Sequence, residues 1–242
     1  MNLKRYKCGK GEDMENKADQ KNKAGHKIDD KTDRKVLNLE SSVRIPIEKS
    51  DSVLRVRLGW DARRGSVKEK AAGVLEEMIF GQSEKSYDLN LAAIVKYRGD
   101  RKPELVFHSE NHSCDSTGGV GLGRDNRTGI GAGSDETIHI NLGKMPEDVE
   151  KIILFMNIAG ANALHQSLSD VENIFVQIED EFDDSVYLRE ENAFKNDAAK
   201  EFCCYTFAEL LQGETRWILR GLSRYSREDR ERDTFEALVG SD

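Results

Sequence analysis

No stretch of this sequence approaches the roughly 18 consecutive apolar residues that a membrane-spanning helix requires, so no such helix is expected. Cysteine is scarce, with only Cys8, Cys114, Cys203 and Cys204 in 242 residues. The opening MNLKRYKCGK is basic but is followed by no apolar core, unlike a secretory signal. The cysteines therefore read as reduced thiols of a cytoplasmic protein, not as a disulfide framework. Hydrophobic residues make up only 37% against 34% charged, a balance that predicts an unstructured portion. Positive charge is also in deficit. The net charge of −8 argues against general nucleic-acid binding and suits a cation as partner. No nucleophile, base and orienting group stand in a recognisable arrangement, so an enzyme is not expected.

The charge is unevenly placed. Residues 1–35 hold eleven Lys/Arg against seven Asp/Glu, and almost no aliphatic residue precedes Val36. Such a segment buries too little apolar surface to offset its ordering entropy, so residues 1–36 are read as a disordered charged arm. From Val43 the pattern turns to period two. Val43, Ile45 and Ile47 alternate with polar residues, and Pro46 consigns this strand to a sheet edge. Leu54, Val56 and Leu58 alternate with Arg55 and Arg57 as a half-buried strand. Ala71, Val74, Leu75, Met78 and Ile79 then fall at helical spacing, which predicts an amphipathic helix inserted at about residues 64–84.

Strands resume at Leu89 to Tyr97, and Gly99-Asp100 turns that run into Glu104 to His108. Ile138, Ile140 and Leu142 alternate with Thr137, His139 and Asn141, whereas Ile152 to Ile158 is apolar except for Asn157, as in a central strand covered on both faces. Further strands are expected at Ile174 to Ile178, Val186 to Leu188, Cys203 to Leu211 and Arg216 to Leu222. About ten short strands with few helices predict an all-β fold, a β-sandwich of two antiparallel sheets spanning residues 37–225. Residues 226–242 form a charged C-terminal tail with a short helix.

The most informative segment is RDNRTGIGAGSDETIHINL, Arg124 to Leu142. It belongs to a loop holding seven of the chain's 20 glycines. Glycine lets the backbone turn its carbonyls inward, and the flanking carboxylates add oxygen, which is what a hard cation such as calcium requires. The expected ligands are Asp125, Asn126, Asp135 and Glu136, converging with Asp88 and Asn90 from the preceding strand. Backbone carbonyls near Gly129 and Gly131, with Asp61 after its Gly-Trp turn, complete the shell. Asp125 and Glu136 match the ends of an EF-hand loop, but Arg127 and Gly129 stand where ligands belong and the flanks are not helical. A phosphate cradle is equally unsupported, because GIGAGSD breaks the G-x-G-x-x-G spacing and no GK[ST] follows.

GWDAR (Gly59 to Arg63), SYDLNLAAIV (Ser86 to Val95), DNRTGIGAGSDETIHINL (Asp125 to Leu142), LSDVENIFVQIEDE (Leu168 to Glu181) and WILRGLSRY (Trp217 to Tyr225) occur in this order. Together they resemble the TerD-type tellurium-resistance and stress proteins of bacteria. The inserted helix and the phrase DVEN resemble the TerZ-like branch. The resemblance covers about residues 40–225. It implies a calcium-binding, non-enzymatic β-sandwich acting as an adaptor or scaffold. It further implies other stress-response or tellurium-resistance proteins as partners, including a membrane partner that would hold the chain peripherally.

The chain departs from that pattern at two places. Family members read GDGDDE where this one reads GAGSDE, with Ala132 and Ser134 in place of carboxylates, and DLDAS where it reads Asp88-Leu89-Asn90-Leu91-Ala92. Fewer acidic ligands predict fewer or weaker calcium ions. The alternative is a degenerate relative serving only as a structural interaction module. Three smaller features complete the candidates. His108, His112 and Cys114 have a spacing that could hold a soft metal, the pair Cys203-Cys204 could trap a thiophile, and the acidic run Glu179 to Asp184 reads as a solvated hairpin tip.

Overall fold

The structure is a computed structural model, and it describes residues 44–47, 52–61, 87–123, 125–127, 129 and 134–240. The expected arm (1–36), the inserted helix (64–84) and Gly131 lie outside these residues. Eleven strands form two antiparallel sheets facing each other as a sandwich. In chain order they are β1 Arg44–Ile47, β2 Val53–Gly59, β3 Leu89–Tyr97, β4 Glu104–Val106, β5 Val120–Leu122 and β6 Glu136–Asn141. There follow β7 Val149–Ile158, β8 Phe175–Asp180, β9 Val186–Glu190, β10 Cys204–Gln212 and β11 Trp217–Ser226. Two α-helices accompany them, α1 Ala161–Leu164 and α2 Glu231–Val239. One sheet has the order β1-β11-β10-β7-β3-β4 and the other β5-β6-β2-β8-β9.

Alternation decides which side chains meet between the sheets. Leu54, Val56 and Leu58 of β2 and Ile138 and Ile140 of β6 are fully buried, while Arg55, Arg57, Thr137 and His139 point away. From the opposite sheet, Leu89, Leu91, Ala93 and Val95 of β3 and Ile152, Leu154, Met156 and Ile158 of β7 close the same core. Pro46 sits on the edge strand β1, which pairs only with β11.

The apolar run of β7 has a second cover. Ile153 and Phe155 point to the outer face of the six-stranded sheet, where they pack with Ala92, Ile94, Phe107 and Cys204. The charged C-terminal segment supplies the lid, since Phe235, Leu238 and Val239 of α2 rest on that patch. Both neighbouring cysteines are therefore interior. Cys203 faces the inter-sheet core and Cys204 the patch under α2. Burial raises the two thiols to about 12 and about 11, which leaves neither as a reactive thiolate.

Two segments differ from the sequence expectation. Part of the glycine-rich loop is a strand, β5, paired with β6. The Asp115 carboxylate nucleates it by accepting the amides of Gly119 at 2.9 Å and Val120 at 2.8 Å. The acidic run is not a fully solvated tip either. Glu179 and Asp180 are 2% exposed. Glu179 is paired with Arg55, while Asp180 accepts the Phe182 amide at 2.9 Å. Both carboxylates are thus engaged by protein partners. No helix among the described residues is long and apolar enough to cross a membrane.

Phe155 is completely buried beneath α2, so Phe155→Ala should lower the unfolding free energy by about 3–5 kcal/mol. Urea denaturation measures this directly. A change under about 1 kcal/mol would mean that α2 does not cover the sheet.

Candidate metal centre

At one end of the sandwich four segments bring polar groups together. β4 is short and ends opposite Ala93, so the Leu91 amide on this edge of β3 lies beyond the last paired residue. Glu136, the first residue of β6, reaches across from the facing sheet, and its Oε2 accepts that amide at 2.5 Å. Its carboxylate is thus drawn between the sheets, at 1% exposure. The other oxygen, Oε1, is buried without a hydrogen-bond partner. It faces Nε2 of His108, two residues past β4, at 3.9 Å.

Asp125 enters from the loop between β5 and β6. Its Oδ2 accepts from Arg127 Nε at 3.0 Å, while Oδ1 is buried and unpartnered. One donor atom from each of His108, Asp125 and Glu136 lies within 4.8 Å of the others. His108 Nε2 and Asp88 Oδ1 are likewise buried without a partner. A buried polar atom normally finds a hydrogen bond, and the orphans on His108, Asp125 and Glu136, which lie together, make this a candidate ligand site.

Electrostatics agree with the geometry. Burial, then the nearby Asp125, Asp88 and Glu231, drives the Glu136 carboxyl up to about 9, against the Leu91 bond that lowers it. Burial and the charge of Asp125 raise Asp88 to about 6, opposed by Arg127. Burial also lowers His108, favouring a neutral imidazole, the form that ligates metal. A dication between these groups would relieve both carboxylates at once.

The expected ligands divide into two sets. Asp125 and Glu136 converge, with Asp88 close enough to feel their charge. Asn126 and Asp135 are hydrogen-bonded to each other instead, and Asp61 is engaged elsewhere. Asp135 accepts the Trp60 amide at 2.9 Å through Oδ2 and the Asn126 side chain at 2.7 Å through Oδ1. Asp61 accepts the side chain of Asn173 at 2.7 Å. Asn90 turns to the C-terminal helix and donates to Glu231 Oε1 at 2.7 Å. Gly129 is buried with φ +63, a conformation glycine adopts without strain. His108 is the member that sequence reasoning placed elsewhere. Its donors do not gather with those of His112 and Cys114 among the described residues, and His112 Nδ1 bonds Ser109 Oγ at 2.9 Å. The one available signal was its position just past the end of β4.

The sequence pattern of the TerD domain matches residues 36–228. The chain belongs to the TerD domain family. Over 194 residues it is 29% identical to tellurium resistance protein TerX of Serratia marcescens, covering 74% of this chain and 86% of that protein. Stress response protein SCP2 of Bacillus subtilis is 29% identical over 151 residues, or 60% of this chain and 71% of its own length. The crystal structure of a TerD homologue from Streptomyces coelicolor A3(2) superposes with a TM-score of 0.57 at 19% identity. That match covers 77% of this chain and 95% of the other, and shows that the TerD sandwich is shared.

The raised carboxyls predict a pH signature for the metal-free TerD domain. Folding favours the neutral forms of Asp88 and Glu136. Their stabilising contribution is full below their ordinary values of 3.8 and 4.5, and is lost as pH rises through about 6 and about 9. In chelator, wild type should lose thermal stability from about pH 5 to about pH 9 more steeply than Glu136→Gln, which cannot ionise. Parallel profiles for the two proteins would contradict the burial of Glu136.

Proposed function

We propose that this TerD-family chain is a non-enzymatic stress-response adaptor whose partner-binding surface is set by a divalent cation. One observation carries the reading. The buried, unpartnered Oε1 of Glu136 faces His108 Nε2, with the equally unpartnered Asp125 Oδ1 beside them. Glu136 is already fixed to β3 through Leu91. An ion there would tie the Asp125 loop to both sheets and give that end of the sandwich one shape. Tellurium-resistance or other stress-response proteins are the partners proposed for this surface, including one at a membrane, on the strength of the relatives' names and the resemblance.

The TerD resemblance implies calcium, and Asp88, Asp125 and Glu136 are the carboxylates that would hold it. They suit any hard dication. The imidazole among them is not a donor calcium favours, and Asp135 and Asn126 are committed to each other. A second reading, a structural module without metal, draws its support from that mutual bond and from Ala132 and Ser134 in the loop.

A ligand that binds only the native state at 100 times its dissociation constant stabilises by roughly 2.7 kcal/mol, or about 5–10 °C for a domain of this size. Chelator-stripped protein should show an upward melting shift with millimolar divalent cation, and Asp125→Ala should abolish it. Ser134→Asp, which returns a carboxylate to the loop, should enlarge the response to calcium. No shift with calcium, magnesium, manganese or zinc would leave only the structural module.

A further inference from the structure

We infer that the centre formed by His108, Asp125 and Glu136 selects a transition-metal dication of the zinc type over calcium. This rests on the reading of the site as a cation centre and names its ion. Calcium takes six to eight oxygens at about 2.3–2.6 Å. Here several neighbouring side chains are already engaged. Both Asp135 oxygens are held by Trp60 and Asn126, and the Asn90 side chain is turned to Glu231. Ala132 and Ser134 contribute no carboxylate.

What remains open is a small mixed set of one imidazole nitrogen and two carboxylate oxygens, His108 Nε2, Asp125 Oδ1 and Glu136 Oε1. Zinc binds such N/O sets with about four ligands at roughly 2.0–2.2 Å. Donors around a tetrahedral zinc lie about 3.4 Å apart. The 3.9 Å between His108 Nε2 and Glu136 Oε1 is therefore a small side-chain rotation from ligation. The fourth position is left to water, with Asp88, whose Oδ1 is buried and unpartnered, outside the 4.8 Å group. Glu136 cannot turn away to solvent, because its second oxygen is anchored to Leu91. Arg127 offsets part of the charge on Asp125, which leaves this centre less negative than a set of several free carboxylates.

Imidazole is the discriminating group. It raises affinity for zinc and its neighbours in the series, and adds little for calcium. Replacing it with an oxygen donor should narrow or close the gap between the two ions.

The test is calorimetric titration of the full, chelator-stripped chain with zinc chloride and, separately, calcium chloride. Wild type, His108→Asn, His108→Asp and Glu136→Gln are compared, with circular dichroism confirming the fold. Wild type should bind one zinc at least about 100-fold more tightly than calcium. His108→Asn should weaken zinc by about 100-fold and leave calcium within a few-fold, while His108→Asp should narrow the gap from both sides. Glu136→Gln should weaken both ions. Calcium equal to or tighter than zinc in wild type overturns the proposal and leaves the cation centre standing. Zinc that binds unchanged in His108→Asn and Glu136→Gln sits elsewhere, on cysteine or surface histidine, and also overturns it. Failure of both ions to bind removes the cation centre itself.

Discussion

The arrangement at the mouth of this sandwich depends on one hydrogen bond, from the Leu91 amide to the Glu136 carboxylate. The short β4 leaves that amide without a strand partner, and an orphaned buried N–H costs about 1–3 kcal/mol. The nearest remedy is a side chain from the facing sheet. Because Glu136 occupies the inward face of β6, at the position before Ile138 and Ile140, its carboxylate arrives where an isoleucine would otherwise sit. Satisfying one orphan creates another, since only one oxygen is used. The remaining oxygen lies within 4.8 Å of donor atoms of His108 and Asp125.

The second dependency is the cover on the outer face of the six-stranded sheet. A sandwich usually leaves its outer faces to solvent, yet Ala92, Ile94, Ile153 and Phe155 are apolar there. The helix α2 closes this face and places Glu231 at its first turn, against Asn90. The C-terminal segment is thus both a structural lid and a neighbour of the site. Its charge adds to the pressure that keeps Asp88 and Glu136 from ionising.

Much of this was legible in the sequence. Strands β2 and β6 announced their buried faces through alternation, β7 its central place through its apolar run, and Pro46 its edge. Asp125 and Glu136 were singled out by the glycine-rich loop that carries them, and Asp88 by sharing a strand face with Asn90. What escaped was pairing across the sheets. Asp135 and Glu136 are adjacent and similar, but strand alternation sends one to the Trp60 amide and the other to Leu91. His108 looked tied to His112 and Cys114 because spacing along a chain is visible and distance across a fold is not. The short β5 was hidden for a related reason, as its glycines signalled a loop while the Asp115 turn made a strand.

The edges of the two sheets have a consequence for how the molecule behaves in a crowd. Exposed strand edges invite pairing between copies, and polymers grow from long, regular ones. Here β4 and β5 are three residues each, and β1 carries a proline that cannot donate. The fourth edge, β9, is five residues long and presents Arg189, which is bound to Glu191. Each edge is too brief, too interrupted or too charged to template another strand. Among the described residues, these features oppose the pairing of one copy's sheet with another's.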